Sequence, residues 1–407
     1  MFGLNKLLSV SAGKWFVSTR GLSSVLSLTL ALSYTKILGL EKRSILTFIM
    51  VSAVILTTLL TSGISLALRN KPRSEIRDEE FSGYIIIIGF AGLMVATINC
   101  ALLSVYSYVK VDIPPAIYLI CFFYSLLSCA NLGYQDALLA LGQIKLAAFF
   151  DILTIVLQGI TLAFLAFISQ TSLIVSVFIA FIFSYSLISF ATVSIIFTKI
   201  DFSVSSIKSG AKSLVLQSKS QQVFGIANGL ADRIDRFIIG LMLPVTFLAK
   251  YALLSSLISF ARFLPDSALK MRLHKIHKGE KTKDFSYSVR SFFFICLLGI
   301  CLVFSAQLML FFFFGPQWLL PLSVSALLVT QEILRGNFQL RGIKLIASGH
   351  QVIMQKISLL LILLSLALIP SATIFIGIWG APLAMVTVYF VCTVLVEIQF
   401  KRHPHVA

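Results

Sequence analysis

From Ile152 to Thr198 the chain runs 47 residues without a charged side chain. As one helix rising about 1.5 Å per residue, that run would extend roughly 70 Å, against a hydrocarbon core of about 30 Å. It must therefore fold back, and the polar cluster Ser169-Gln170-Thr171-Ser172 is where it breaks. A soluble chain hiding such a stretch would need a charged surface elsewhere. Charged residues are only 12% of this chain and hydrophobic residues 58%, where a soluble domain carries about 25% charged residues. Soluble, disordered, collagenous, coiled-coil and secreted disulfide-rich classes are excluded, and a polytopic membrane protein remains.

Further uncharged runs lie at Ser44–Leu68, Phe81–Val109 and Ile113–Gln135. Ser291–Gln331 and Ile357–Val396 are double-length, interrupted by Gly315-Pro316-Gln317-Trp318 with Pro321 and by Pro370, Gly377 and Pro382; such residues punctuate helices. Weaker segments near 17–38, 219–243 and 247–268 complete twelve expected spans: 17–38, 44–68, 83–107, 114–138, 144–168, 172–197, 219–243, 247–268, 289–313, 321–345, 352–370 and 377–399. The first is too long for a cleavable signal, lacks a small-residue cleavage site and is followed at once by a second span.

The net charge is +17, from 33 Lys and Arg against 16 Asp and Glu. In a soluble protein that would suggest nucleic acid; in a membrane protein it tests orientation, because cytoplasmic loops collect Lys and Arg. With the amino terminus inside, twenty-three basic residues fall on inner segments and four (Lys42, Arg43, Lys110 and Lys250) on outer ones. Both termini are expected in the cytoplasm, and no nucleic-acid partner is expected. The six Cys all sit in apolar stretches without a C-x-x-C pair and read as small buried hydrophobes. His274 and His277 have no third ligand nearby and read as part of a solvated loop. No loop exceeds about 20 residues and no glycine-rich phosphate loop occurs, so neither a soluble catalytic domain nor a nucleotide-driven pump is indicated. Secondary transport is favoured.

Charges at bilayer depth cost about 2.5–3.5 kcal/mol each on insertion scales and mark an interior or a water-filled path. The seventh segment carries them in its middle: Asp232, Arg233, Asp235 and Arg236. Drawn as one unbroken helix at about 100° per residue, it places Gln221, Gln222, Gly225, Asn228, Gly229 and all four charges within an arc of roughly 160°. That face is expected to avoid lipid. Asp232 and Arg236 stand four apart in the favourable acid-first order. Either these charges neutralise one another inside a bundle, or they line a hydrophilic cavity where Arg233 or Arg236 meets an anion. The tenth segment adds Glu332, Arg335 and Gln339 on adjacent turns, with Arg341 near the inner interface. Arg20 lies about one turn inside the first helix, as a snorkelling anchor or part of an inner vestibule. Arg262 and Asp266 read as groups reaching the inner headgroups, and Asp136 and Asp151 as interfacial acids.

Tyr34-Thr35-Lys36-Ile37-Leu38-Gly39-Leu40 closes the first helix, and Thr61-Ser62-Gly63-Ile64-Ser65-Leu66-Ala67 the second. Asp232-Arg233-Ile234-Asp235-Arg236-Phe237-Ile238-Ile239-Gly240, then Leu243-Pro244, then Ala249-Lys250-Tyr251-Ala252-Leu253 follow in the second half. This order resembles the polysaccharide-biosynthesis (O-antigen, Wzx-type) flippases of the multidrug/oligosaccharidyl-lipid/polysaccharide exporter superfamily. Members often carry Gly in the short turn where this chain has Ala249, and the chain is shorter than the fourteen-helix peptidoglycan-precursor flippases.

The resemblance implies an all-α protein of about twelve spans in two six-helix bundles around a central cavity: an N-terminal bundle over 1–200, a linker over 201–218 and a C-terminal bundle over 219–407. It also implies the bacterial cytoplasmic (inner) membrane. The implied activity is translocation of an undecaprenyl-pyrophosphate-linked oligosaccharide from the cytoplasmic to the outer leaflet by alternating access. Arg233, Arg236, Arg335, Asn228, Gln221 and Arg20 are then the cavity-lining, substrate-binding candidates. Asp232, Asp235 and Glu332 are the candidates for ion coupling or a charge switch. No cofactor or metal is implied beyond a coupling proton or sodium ion; the partners are the lipid-linked substrate, membrane lipids and other polysaccharide-assembly membrane proteins. A drug or metabolite cation antiporter would instead want an acidic, aromatic cavity. A membrane-embedded glycan polymerase or ligase would want a large outer loop, and a scaffold would have no need of polar groups through the seventh segment.

Overall fold

The computed structural model describes residues 12–69, 71, 75–168, 173–202, 205, 207–259, 289–347 and 350–402. The seventh-segment charges, the tenth-segment charges and most loops fall within them; Arg262, Asp266, His274 and His277 lie outside the described residues, as does the break at 169–172. Every regular element described is helical. In chain order these are α1 (Ala12–Arg69), α2 (Asp78–Lys110), α3 (Pro115–Ala140), α4 (Ile144–Ile168), α5 (Leu173–Phe197), α6 (Ile207–Ala231), α7 (Ile234–Met242), α8 (Val245–Ile258), α9 (Val289–Phe314), α10 (Leu322–Ala347), α11 (Gln351–Ile376) and α12 (Gly380–Arg402). Single 3₁₀ turns at Pro316–Trp318 and Gly377–Trp379 precede α10 and α12.

Seven described stretches are long and apolar enough to cross a membrane. Two of them, Gly21–Arg69 and Gln351–Gln399, are 49 residues each, well over the roughly 20 residues that one crossing needs. Each is interrupted at a glycine with positive φ: Gly39 at φ 70°, ψ −177° inside α1, and Gly377 at φ 62°, ψ −131° after α11. Side chains disfavour that region, so glycine lets the chain turn there. Large apolar side chains such as Phe90, Phe190 and Phe312 point outward, while Asn99, Glu80, Asp235 and Glu332 are buried. In water this arrangement would be unstable; in lipid it is the expected one. The chain is a multi-pass membrane protein.

The chain divides into two compact units, Met1–Gly229 and Leu230–Ala407. In the first, Tyr124 of α3 meets Phe178 and Phe181 of α5 edge-on at 5.5 and 5.9 Å, and Phe181 meets Tyr34 of α1 at 6.2 Å. Buried Asn99 of α2 donates to Ser125 Oγ (2.8 Å) and the Ile49 carbonyl (3.2 Å), and accepts from Ser52. Tyr84 donates to the Gly133 carbonyl at 3.0 Å and sits 2.8 Å from Ser65 Oγ. Polar groups in hydrocarbon have no water to turn to, so bonds of this kind hold helices in register. Asp136 is paired with Arg69 at 2.9 Å, joining the ends of α1 and α3.

Three local readings need correction. Residues 207–218, taken as part of a loop linker, form the first turns of α6. Their polar composition hides the helix, which is held from outside. Ser213 and Gln217 donate to Glu80 at 2.8 and 3.3 Å, Leu214 is buried in the core of this unit, and the backbone at Gly210 packs directly on the Glu79 carbonyl. Pro370, taken as punctuation, stays inside α11. Lys250, taken as an outer-loop residue, lies within α8, and the preceding turn is Leu243-Pro244.

A buried charge cluster as the candidate functional site

The seventh segment is not one helix. α6 ends at Ala231, and Arg233 takes φ −141°, ψ −7° as the residue before α7, its N–H turning back to the Leu230 carbonyl at 3.0 Å. Asp235 occupies the first turn of α7, where a carboxylate is favoured by the unpaired amides of a helix start. Its Oδ1 accepts the Arg236 backbone N–H at 2.8 Å, and its Oδ2 accepts the Tyr251 hydroxyl at 2.8 Å. Arg236 Nη2 donates to Ser255 Oγ at 2.6 Å. Tyr251 and Ser255 are four apart on α8, so one helix face serves both.

α10 supplies the other wall. Arg335 Nη1 forms an ion pair with Asp232 Oδ1. Glu332, one turn earlier, lies within electrostatic reach of both Arg335 and Tyr251. Residue exposure is 1% for Asp235, 4% for Glu332, 5% for Arg335 and 8% for Arg236. Two buried acids thus match two buried bases, with Asp232 and Arg233 half-buried beside them. An unpaired ion removed from water costs several kcal/mol, so the balance is what lets the cluster exist. The pairs leave capacity unused: Arg236 Nε, Arg335 Nε and Gln331 Oε1 are buried and, among the described residues, have no acceptor or donor.

Of the sequence candidates, Asp232, Arg233, Asp235, Arg236, Glu332 and Arg335 lie in this second unit. Gln221, half-buried on α6, belongs to the first unit, as do Asn228 and Arg20, whose side chains lie outside the described residues. Asp232 reaches Arg335 on α10, and the break after Ala231 removes the continuous helical register on which an acid-first pair with Arg236 was expected. The small, polar face of the seventh segment also changes meaning. Gly225 packs against Ser62 and Leu66, Gly229 against Thr58, and Gly63 against the backbone of Gln222. The glycines of that face are packed on α1, as small residues that let membrane helices approach closely. Sequence reasoning missed Tyr251 and Ser255; their spacing of four, about two turns beyond a Pro-led helix start, was the available signal. It also missed Arg43, counted with the outer loop and buried in the structure.

No protein-family model matches the chain, and no curated protein does. Solved structures do. The lipid II flippase MurJ in an inward closed conformation superposes with a TM-score of 0.71 at 14% identity, over 95% of this chain and 87% of that one. An inward-facing multidrug resistance MATE family transporter of the MOP superfamily gives 0.68 at 11% identity, over 96% and 97%. A MOP superfamily transporter from Pyrococcus furiosus gives 0.55 at 13% identity, over 97% of each. These proteins are transporters and a flippase, not enzymes. What the chain shares with them, at such identities, is the fold of MOP superfamily transporters.

Proposed function

We propose that the protein is a flippase for an undecaprenyl-pyrophosphate-linked oligosaccharide, a repeat unit of O-antigen or a related surface polysaccharide. It works in the bacterial inner membrane with both termini cytoplasmic. Twelve spans in two six-helix bundles move the substrate from the cytoplasmic to the outer leaflet by alternating access. A lipid-linked sugar carries a large polar head and a charged pyrophosphate, which cannot cross hydrocarbon unaided. The observation that carries this reading is the pair of buried guanidinium groups, Arg236 and Arg335, each with an Nε donor left over after its internal contacts. Arginine's planar fork suits pyrophosphate oxygens. Arg233, half-buried at the break, and Gln221, Asn228 and Arg20 are the further cavity-lining candidates. Asp232, Asp235 and Glu332 balance those cations and are the groups on which a proton or sodium gradient would act: neutralising Asp232 frees Arg335.

One feature favours a second reading, a multidrug or metabolite cation antiporter: Asp235 with Tyr251 is an acid-and-aromatic pair that a lipophilic cation would also suit. Export separates the two. Arg236→Ala should abolish appearance of the glycan at the cell surface while membrane levels of the protein stay normal. Normal export in that variant removes Arg236 from the site; normal export together with Asp235-dependent efflux of a cationic dye from proteoliposomes establishes the antiporter.

A further inference from the structure

Unlike the cations of the second unit, Arg43 is buried without a counter-charge among the described residues. Gly39 turns the chain inside α1, at the end of the first unit where α2 finishes at Lys110 and α3 begins at Pro115. Glu41 and Lys42 are exposed there, but Arg43 turns inward and is 4% exposed. Its guanidinium carbon lies 4.5 Å from the centre of the Tyr34 ring. A ring face attracts the cation but accepts none of the in-plane N–H groups. Among the described residues no carboxylate pairs with Arg43, and its Nε and Nη1 have no acceptor. Arginine does not escape by losing its proton.

Two neighbours share the condition. Thr47 stands one turn further along α1, and its Oγ1 is buried with no partner among the described residues. Phe48, next to it, stacks on Tyr106 of α2 at 4.1 Å and 14°, and the Tyr106 hydroxyl is likewise buried with no partner among the described residues. Buried polar groups in proteins are nearly always satisfied. Arg43 and Thr47, one turn apart on α1, and Tyr106 on α2, held to α1 by the Phe48 stack, have one common complement, an anion with several acceptor oxygens. At the end of a membrane-spanning unit, where helices reverse, the anion at hand is a phosphate ester at headgroup depth.

We propose that Arg43, with Thr47 and Tyr106 and backed by Tyr34, binds a phosphate group in the first unit. The phosphate comes either from an anionic phospholipid headgroup or from the pyrophosphate head of a polyprenyl-linked molecule. The site does not depend on the substrate assigned to the second unit.

The test uses the purified full-length protein in detergent, with thermal unfolding followed during titration. The probes are dioleoyl-phosphatidylglycerol, dioleoylglycerol (the same tails without phosphate) and inorganic pyrophosphate. A phosphate-bearing probe should raise the unfolding midpoint saturably and dioleoylglycerol should not. Arg43→Gln should weaken that binding about tenfold, the loss expected for one charge-assisted contact. Phosphatidylglycerol acting without competition from pyrophosphate identifies the headgroup as the source; displacement by pyrophosphate identifies the polyprenyl-linked head. Equal stabilisation by dioleoylglycerol, or unchanged affinity in Arg43→Gln, overturns the proposal. If Arg43→Gln does not fold, the double variant Thr47→Val/Tyr106→Phe keeps the cation and removes both hydroxyls. Wild-type affinity in that variant would overturn it equally.

Discussion

Asp232 and Arg335 are the residues whose pairing the break in the seventh segment decides, and the energetics of the pair are asymmetric. Arg335→Leu strands Asp232 near buried Glu332 and should lower stability by about 3–5 kcal/mol, as removal of one member of a buried ion pair does. Asp232→Asn combined with Arg335→Leu should recover much of that loss in a thermal-unfolding measurement without recovering transport, since the guanidinium is still missing. If the double variant is no more stable than the single one, the pair contributes nothing to the fold. Tyr251→Phe is a subtler change: it removes one hydrogen bond to Asp235 at a cost of about 1–3 kcal/mol, because the carboxylate stays buried. Single residues were unevenly legible. Asp232, Asp235, Arg236, Glu332 and Arg335 stand out in the sequence because a charge inside an apolar run is costly and therefore rare. Tyr251 and Ser255 do not, since aromatic and hydroxyl side chains are ordinary in membrane helices. Arg43 was misread because loop and helix assignments there turn on one glycine, and which way a side chain faces at a turn has no period to follow.

At the scale of elements, apolar run length located the long helices, but periodicity could not see where a helix stops without Pro or Gly. α6 and α7 separate at Asp232-Arg233, neither of them a breaker residue, and the separation shows only through Asp235 accepting an amide in the new first turn and α10 claiming Asp232. Polar α6, from Ile207, is helical because α2 and α1 hold it, which is tertiary override of a weak local pattern. The contacts differ in how much they can yield. An added Cβ at Gly210 meets the backbone of Glu79, whereas at Gly225 it meets the side chains of Ser62 and Leu66. Gly210→Ala should therefore cost about 1–3 kcal/mol, the usual range for overpacking, and Gly225→Ala measurably less by thermal unfolding in detergent; the reverse order would mean that α6 does not pack as described. Gly39→Ala has open space around it yet should still destabilise by about 1–3 kcal/mol, because its φ and ψ lie in a region left to glycine.

Taken whole, the molecule's class was the most legible feature, because it follows from composition and run length, while its orientation depends on where Lys and Arg gather. Some of the cations counted as cytoplasmic prove to be paired: Arg69 with Asp136, and Lys71 with Glu80 at 3.0 Å. Pairing does not weaken the orientation argument, since the rule counts Lys and Arg and acids contribute little. At the opposite end, two of the four cations counted as outer differ from that reading. Arg43 is buried and Lys250 lies within α8, while Lys42 is exposed and Lys110 half-buried. Asp112, exposed in the turn between α2 and α3, and Lys208, exposed at the start of α6, are separated by α3, α4 and α5, and the expected topology puts them on opposite sides of the membrane. In a variant otherwise free of Cys, Asp112→Cys should react with a membrane-impermeant maleimide in intact cells, and Lys208→Cys only after the membrane is opened. The opposite pattern would invert the protein, put the Arg43 site at the cytoplasmic headgroups and reverse the direction of any lipid-linked cargo. Labelling of both positions in intact cells would instead break the helix count between residues 112 and 208, because an even number of crossings would then separate them.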